Sequence, residues 1–356
     1  MTDPLAPREV PLLTPDLPGT SGSARVSEQD FRVEELPLYE PRGEGGHLYL
    51  LVEKVGRTTP EVARELGEAL SVRERDVGYA GLKDKRAVTL QRFSVPVPPR
   101  SPDFAGRGAA LVGTGWRVVS AALHGNKLRP GHLRGNRFRI VLRGPVAGAL
   151  ERAERICAEL RSRGAPNLYG PQRFGQRGDN AALGAAILRR EAAPRDRFLR
   201  RLALSALQAE LFNRCLSGRL REGLFDRAIP GDVLRKRETG GLFVSENPAA
   251  DTARVRAGEV DPAGPLPGHS LFAARADALA REDAVLAEAG VDPRSFAAGG
   301  GEMEGARRPY RVPVEDLRVA PEQPDALLLE FALPRGSYAA CVLREVMKEG
   351  PPGEED

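Results

Sequence analysis

The stretch that most constrains this chain is "ALLLEFALPRGSYAACVLREVMKEG", residues 326–350. It reads as an apolar strand, a tight turn and a helix. The strand is apolar on both faces, which predicts a place inside a sheet rather than at its rim. One strand and one helix bury too little surface to fold alone. They must therefore rejoin a sheet built earlier, and the earlier strands all lie before residue 150. What separates them, from about 165 to 308, has a mostly helical texture. The simplest architecture is an α+β domain around a mainly antiparallel sheet, interrupted by an inserted block. The boundaries expected are a loosely ordered arm over 1–24, a first catalytic part over 25–163, the insertion over 164–308, a closing strand and helix over 309–350, and a solvated tail over 351–356.

Local patterns support this division. In "DFRVEEL" (30–36), Phe31 and Val33 face one way and Arg32 and Glu34 the other, as in a half-buried strand. "HLYLLVEKV" (47–55) is a second strand. "TTPEVARELGEAL" opens a helix with Thr59 as N-cap, Pro60 at N1 and an apolar stripe of Val62, Leu66, Ala69 and Leu70. "RFRIVLRG" (137–144) sets Phe138, Ile140 and Leu142 on one face and Arg137, Arg139 and Arg143 on the other. Helices follow over 148–164, 196–224 and 275–290. A hairpin turns at Gly240-Gly241, and "AAGGGEMEGARR" (297–308) reads as a glycine-rich hinge.

Charge narrows the function. No acidic residue occurs from Phe104 to Leu150, a window holding Arg107, Arg117, Lys127, Arg129, Arg134, Arg137, Arg139 and Arg143. A local field of one sign suits a polyanion such as nucleic acid; the plainer alternative is a basic face balanced by acids from elsewhere in the fold. The three cysteines are scattered and no H-x-x-x-H pair exists, which argues against a disulfide framework and a metal site. No run approaches the roughly 20 apolar residues of a membrane span, and the N-terminus does not read as a secretory signal. The expectation is a cytoplasmic protein without metal or cofactor. Walker A, H-E-x-x-H and G-x-S-x-G motifs are absent.

The sharpest candidate for chemistry is "GLKDKRAVTLQ", where Lys83, Lys85 and Arg86 lie within two residues of Asp84. Such a setting suits a carboxylate held ionised as a base or nucleophile. Taken alone, a K-D-K loop is an ordinary solvated charge cluster. "GAPNLYGPQRFGQRGDN" (164–180) interleaves Gln172, Arg173 and Phe174 with glycines. That suits stacking and phosphate contact, or else a loop with Phe174 in the core. "LRGNRFRIVL" places Asn136 and Phe138 at the head of the arginine strand, where an amide and a ring can read a base or merely start a strand. Tyr338, after Ser337 as expected N-cap, leads the last helix.

Together, and in this order, these stretches resemble the TruD family of tRNA pseudouridine synthases. The resemblance rests on a "DFxVxE" strand starting at Asp30-Phe31, "AGxKDKxAVTxQ" from Ala80 to Gln91, and "LxGNxF" over Leu133–Phe138. It continues in "PNxFGxQRFG" over Pro166–Gly175 and "PxGSxAxxxxRE" over Pro334–Glu345. Gly43-Glu44-Gly45-Gly46-His47 carries one glycine more than the related "GxGxH" turn, and Leu168-Tyr169 shifts an aromatic by one position. The resemblance implies the pseudouridine-synthase catalytic fold with a family-specific insertion. It implies Asp84 as catalytic carboxylate, with Phe31, Asn136 and Tyr338 touching the target uridine. It implies tRNA as partner, a monomer, and uridine 13 of the D-arm as target. Lys83, Lys85, Arg86, Gln91, Phe138, Arg137, Arg139, Gln172, Arg173 and Phe174 are then supporting or RNA-backbone residues. An RNA-binding or chaperone module without turnover, and an enzyme acting on a small anionic metabolite, are the competing classes.

Overall fold

The computed structural model describes residue 5 and residues 9–99, 101, 103–323 and 325–348. The expected tail at 351–356, and parts of the expected arm, lie outside the described residues. The chain forms two compact units. One comprises Gly19–Cys157 and Val314–Ala339; the other comprises Ala158–Pro313 with residues up to Pro18 and from Ala340 onward.

The first unit holds a ten-stranded sheet. From one edge its strands run Glu315–Gln323, Ala326–Pro334, Leu133–Arg143, Phe31–Pro37, Val88–Pro96, His47–Val55, Trp116–His124 and Val112–Gly113. Ser23–Ala24 pairs with the Leu133–Arg143 strand, and Gly78–Tyr79 with the Val88–Pro96 strand. Among the described residues, only Phe31–Pro37 and Val88–Pro96 run parallel. The closing strand sits between two neighbours, as its two apolar faces predict. It approaches the Leu133–Arg143 strand so closely that a Cβ on Gly135 would meet the Leu333 carbonyl oxygen at 2.2 Å. Glycine is required there for the neighbouring Asn136 to be brought into register with Leu333.

Helix Thr59–Leu70 packs Val62, Ala63, Leu66 and Leu70 against Leu48, Leu50, Val52 and Phe93 of the sheet. Ala69, expected on this stripe, is exposed, and Ala63 takes its place. The N-cap is Thr58 rather than Thr59. Its hydroxyl accepts from the Glu61 amide, and its own amide donates to the Glu61 carboxylate at 2.7 Å. This frees the Thr59 hydroxyl for another task, described below.

The second unit is less helical than its texture suggests. Besides helices Asn180–Leu188, Arg197–Arg221, Pro248–Arg256 and Ala276–Glu288, it contains a four-stranded antiparallel sheet. Its strands are Leu242–Val244, Val233–Lys236, Val260–Leu266 and Ala306–Pro309. The 260–266 strand, "VDPAGPL", carries two prolines and a glycine, which hides its extended character from a pattern reading. The expected hinge is also built structure. Pro293–Met303 is a 3₁₀ segment ending on the buried Met303, and Ala306–Pro309 is a paired strand.

The final helix, Ala339–Met347, lies with this second unit over its length from Ala340. Its buried Glu345 accepts from the Leu13 amide at 2.8 Å and from the Thr14 amide and hydroxyl at 3.3 and 3.2 Å. The arm expected to be loose is thus fastened by a carboxylate 331 residues away. Among the described residues no helix is long and apolar enough to cross a membrane.

Candidate active site

The site is built on the loop joining Gly78–Tyr79 to Val88–Pro96. Three buried groups hold that loop. Gln91 donates its amide to the Gly81 carbonyl at 2.6 Å and accepts from the Thr59 hydroxyl at 2.9 Å. The Thr59 oxygen accepts from the Lys83 amide at 3.0 Å. Lys54 donates from Nζ to the Asp84 carbonyl at 3.0 Å and to the Arg57 carbonyl at 2.7 Å. Burial holds the Lys54 ammonium down to about 8; Asp84 and Glu61 oppose the shift and Lys83 reinforces it.

Lys83 and Gln91 therefore turn their side chains into the fold. Lys83 turns away from Asp84 and forms a 2.8 Å ion pair with Glu35, both side chains almost free of solvent. Lys85 and Arg86 are exposed. What reaches the Asp84 carboxylate is Arg25, whose Nη2 lies 3.1 Å from Oδ2. The Arg25 backbone is left-handed, with φ +64°, a conformation that costs a side-chain-bearing residue energy. Its guanidinium also stacks 3.9 Å above the Phe31 ring centroid. The Asp84 side chain stays 44% exposed, open to an incoming group.

Phe31 is fully buried, with Phe138 edge-on at 6.2 Å and Phe331 stacked on Phe138 at 5.2 Å. Phe138 is buried as part of this aromatic floor. Along the strands side chains alternate, so Phe31, Glu35, Asn136 and Phe138 share one sheet face. Asn136 is half-buried, and its Oδ1 is buried without a hydrogen-bond partner among the described residues. Tyr338 is 44% exposed, just before the last helix rather than within it. No ring contact joins it to the Phe31 group among the described residues.

On the arginine strand the balancing acids of the plainer alternative are present. Arg137 and Arg139 lie on the opposite face from Phe31, and acids of the two flanking strands and of the edge strand Glu315–Gln323 answer them. Arg137 pairs with Glu34 and Asp316, and Arg139 with Glu322 and Glu330. Arg143 grips Asp30 at 2.6 Å. Around these three arginines the acid-free window is acid-free only in sequence, because residues from outside the window supply their counter-charges. In the other unit, Phe174 is core, packed with Ala181, Ala206 and Ala209. Arg173 lies over the Tyr169 ring and bonds the Ser205 hydroxyl, while Gln172 is exposed.

Three functional-looking residues escaped the sequence reading. Glu35 and Lys54 carried a signal, since each puts a charge at the core parity of an apolar strand. Arg25 carried none.

The family model described as tRNA pseudouridine synthase D (TruD) matches residues 9–194 and 195–346. This sheet, with its carboxylate loop, is that of an isomerase of the pseudouridine-synthase class. The tRNA pseudouridine synthase D of Anaeromyxobacter sp. (strain Fw109-5) is 52% identical over 98% of this chain and 99% of its own. That of a Thermus thermophilus strain is 45% identical over 98% of this chain and 97% of its own. The chain belongs to the TruD family. A crystal structure of a TruD protein from Methanosarcina mazei superposes with a TM-score of 0.77 over 98% of this chain and 97% of that one. At 24% identity it bears on the fold alone.

Proposed function

We propose that this protein converts a uridine of tRNA, uridine 13 of the D-arm, into pseudouridine, with Asp84 as the catalytic carboxylate. It works as a monomer in the cytoplasm. The observation that carries the reading is a solvent-open carboxylate bonded to a guanidinium that lies over the ring of a buried phenylalanine. A planar group already rests on Phe31 within reach of Asp84, which supports a flat base taking a similar place.

The reaction breaks N1–C1′, turns the base and joins C5 to C1′; the C5 proton is lost and N1 gains one. No electron is gained or lost. The uridine must leave its stack, because C1′ and C6 are inaccessible within it. Arg25 moves off the Phe31 face to admit the base, and Tyr338, half-exposed, closes over it. The free Oδ1 of Asn136 accepts from the base N3–H. Asp84 acts at the glycosidic edge, where C1′, C6 and the C2′ proton all lie within one carboxylate's reach.

Arg25→Met is expected to lower the single-turnover rate by about 10- to 100-fold, because the carboxylate loses the partner that aims it. Unchanged turnover would remove Arg25 from the site. Surface charge gives a second test. Lys85→Ala is expected to weaken tRNA binding and to flatten the log Kd against log salt slope by about 1. Arg139→Ala is expected to leave that slope unchanged, since Glu322 and Glu330 already hold the guanidinium. Equal effects from both would mean that the arginine face binds RNA after all. The competing module without turnover is set aside by membership in an enzyme family, and the Asp84 experiment below tests it directly.

A further inference from the structure

We infer that Lys54 is a positioning residue for Asp84, a buried ammonium whose work is to fix the main chain that carries the carboxylate. The inference rests on the reading of Asp84 given above. Lys54 stands on the strand His47–Val55, directly opposite Thr89. Leu48, Leu50 and Val52 precede it on the same face, and all are fully buried. A core position there asks for another aliphatic residue. The chain places a lysine instead and buries it completely.

Among the described residues no carboxylate lies within ion-pairing distance of its Nζ. A buried ammonium without a counter-ion is costly. Its two acceptors are main-chain carbonyls, those of Arg57 and Asp84. Packing alone explains neither the charge nor this pair of partners.

The rest of the loop shows what the lysine adds. Gly81 is held through Gln91, and Lys83 through Thr59 and Glu35. Asp84 itself is touched at its carboxylate by the partly exposed Arg25, and at its main chain by Lys54 alone among the hydrogen bonds of the described residues. Lys54 thus sets the direction in which the Asp84 side chain leaves the loop. A charged donor makes the stronger hydrogen bond, so the clamp is tightest while the lysine is protonated.

The charged groups that bear on Lys54 are Asp84, Lys83 and Glu61, and burial outweighs them all. The sign of the stability effect follows. The folded value of about 8 lies below the ordinary 10.5. Below pH 8 the folded state carries the full cost of the buried charge. Between 8 and 10.5 the unfolded chain binds a proton that the folded chain lacks, so this group makes stability rise with pH across that window. The clamp loosens over the same range. Lys54 therefore ties stability and turnover to pH in opposite senses, which a core-filling lysine would not do.

The test uses the full-length protein with unmodified tRNA transcript, comparing wild type, Lys54→Met and Lys54→Gln. The readouts are single-turnover rate, tRNA Kd, and Tm on both sides of pH 8. Lys54→Met is expected to slow the chemical step by about 10- to 100-fold, with Kd within about threefold and Tm at neutral pH not lowered. The wild-type rate is expected to fall through an alkaline limb centred near 8, and that limb is absent from Lys54→Met. If Lys54→Met fails to fold, Lys54→Gln, which keeps an N–H donor without the charge, decides by the same readouts. A rate within threefold of wild type in a folded variant overturns the inference. So does an unchanged alkaline limb, or a loss of rate in both variants that only follows loss of folded protein. Wild type that forms no pseudouridine would instead overturn the functional reading.

Discussion

Asp84→Asn abolishes pseudouridine formation while tRNA binding stays within a few-fold of wild type. The asparagine keeps the shape of the side chain and an oxygen that can accept from Arg25. It loses the charge and the nucleophilic oxygen. Removing a nucleophile or an essential base costs on the order of four to six powers of ten in rate. The fold should not suffer, because the carboxylate is nearly half exposed and its ion pair with Arg25 lies at the surface. The check is nucleoside chromatography of digested tRNA after prolonged incubation, beside a filter-binding measurement of Kd. Pseudouridine made by the variant at more than about a hundredth of the wild-type rate would end the assignment of Asp84. Loss of binding together with turnover would mean that Asp84 holds RNA rather than reacting with it.

Lys83→Met should destabilise the sheet unit by about 3–5 kcal/mol, the usual effect of removing one partner of a buried ion pair. Glu35 would be left 1% exposed with no cation beside it. The double variant Lys83→Met/Glu35→Leu should recover most of that loss, since a well-packed apolar pair often matches a buried ion pair. The chain's single tryptophan, Trp116, lies buried in this unit and donates to Glu65 at 2.6 Å, so its fluorescence reports denaturant unfolding there. A single variant as stable as wild type would show that Lys83 is no structural anchor. The surface-cation reading of the Lys-Asp-Lys loop would then return.

These two residues are adjacent in sequence and opposite in role. Read along the chain, Lys83, Lys85 and Arg86 are all equally placed to support Asp84. In the fold, Lys83 is spent on Glu35, and the cation that meets Asp84 comes from Arg25, 59 positions earlier. Ion pairing is a matter of distance through space, which sequence adjacency does not report. The arginine strand shows the same limit. Its alternation correctly separated Phe138 from Arg137 and Arg139, because a strand's pleat has a strict period of two. It could not reveal that Glu34, Asp316, Glu322 and Glu330 would lie across from those arginines, because that depends on which strands become neighbours.

What the sequence determined by itself is therefore of two kinds. Local pattern located the strands at 31–37 and 47–55, the helix at 59–70 and the long helical run at 197–221; at 31–37 and 59–70 the signal is a repeat that buries one face. The order of short motifs marked the family and the Asp84 loop. Only the tertiary structure decided which charges are answered. It buried Lys54 beneath Asp84, turned Lys83 inward, laid Arg25 on Phe31 and fastened residues 13 and 14 to Glu345. Each of those outcomes joins segments far apart in the chain, and each is favourable only once the sheet or helix that excludes water is in place.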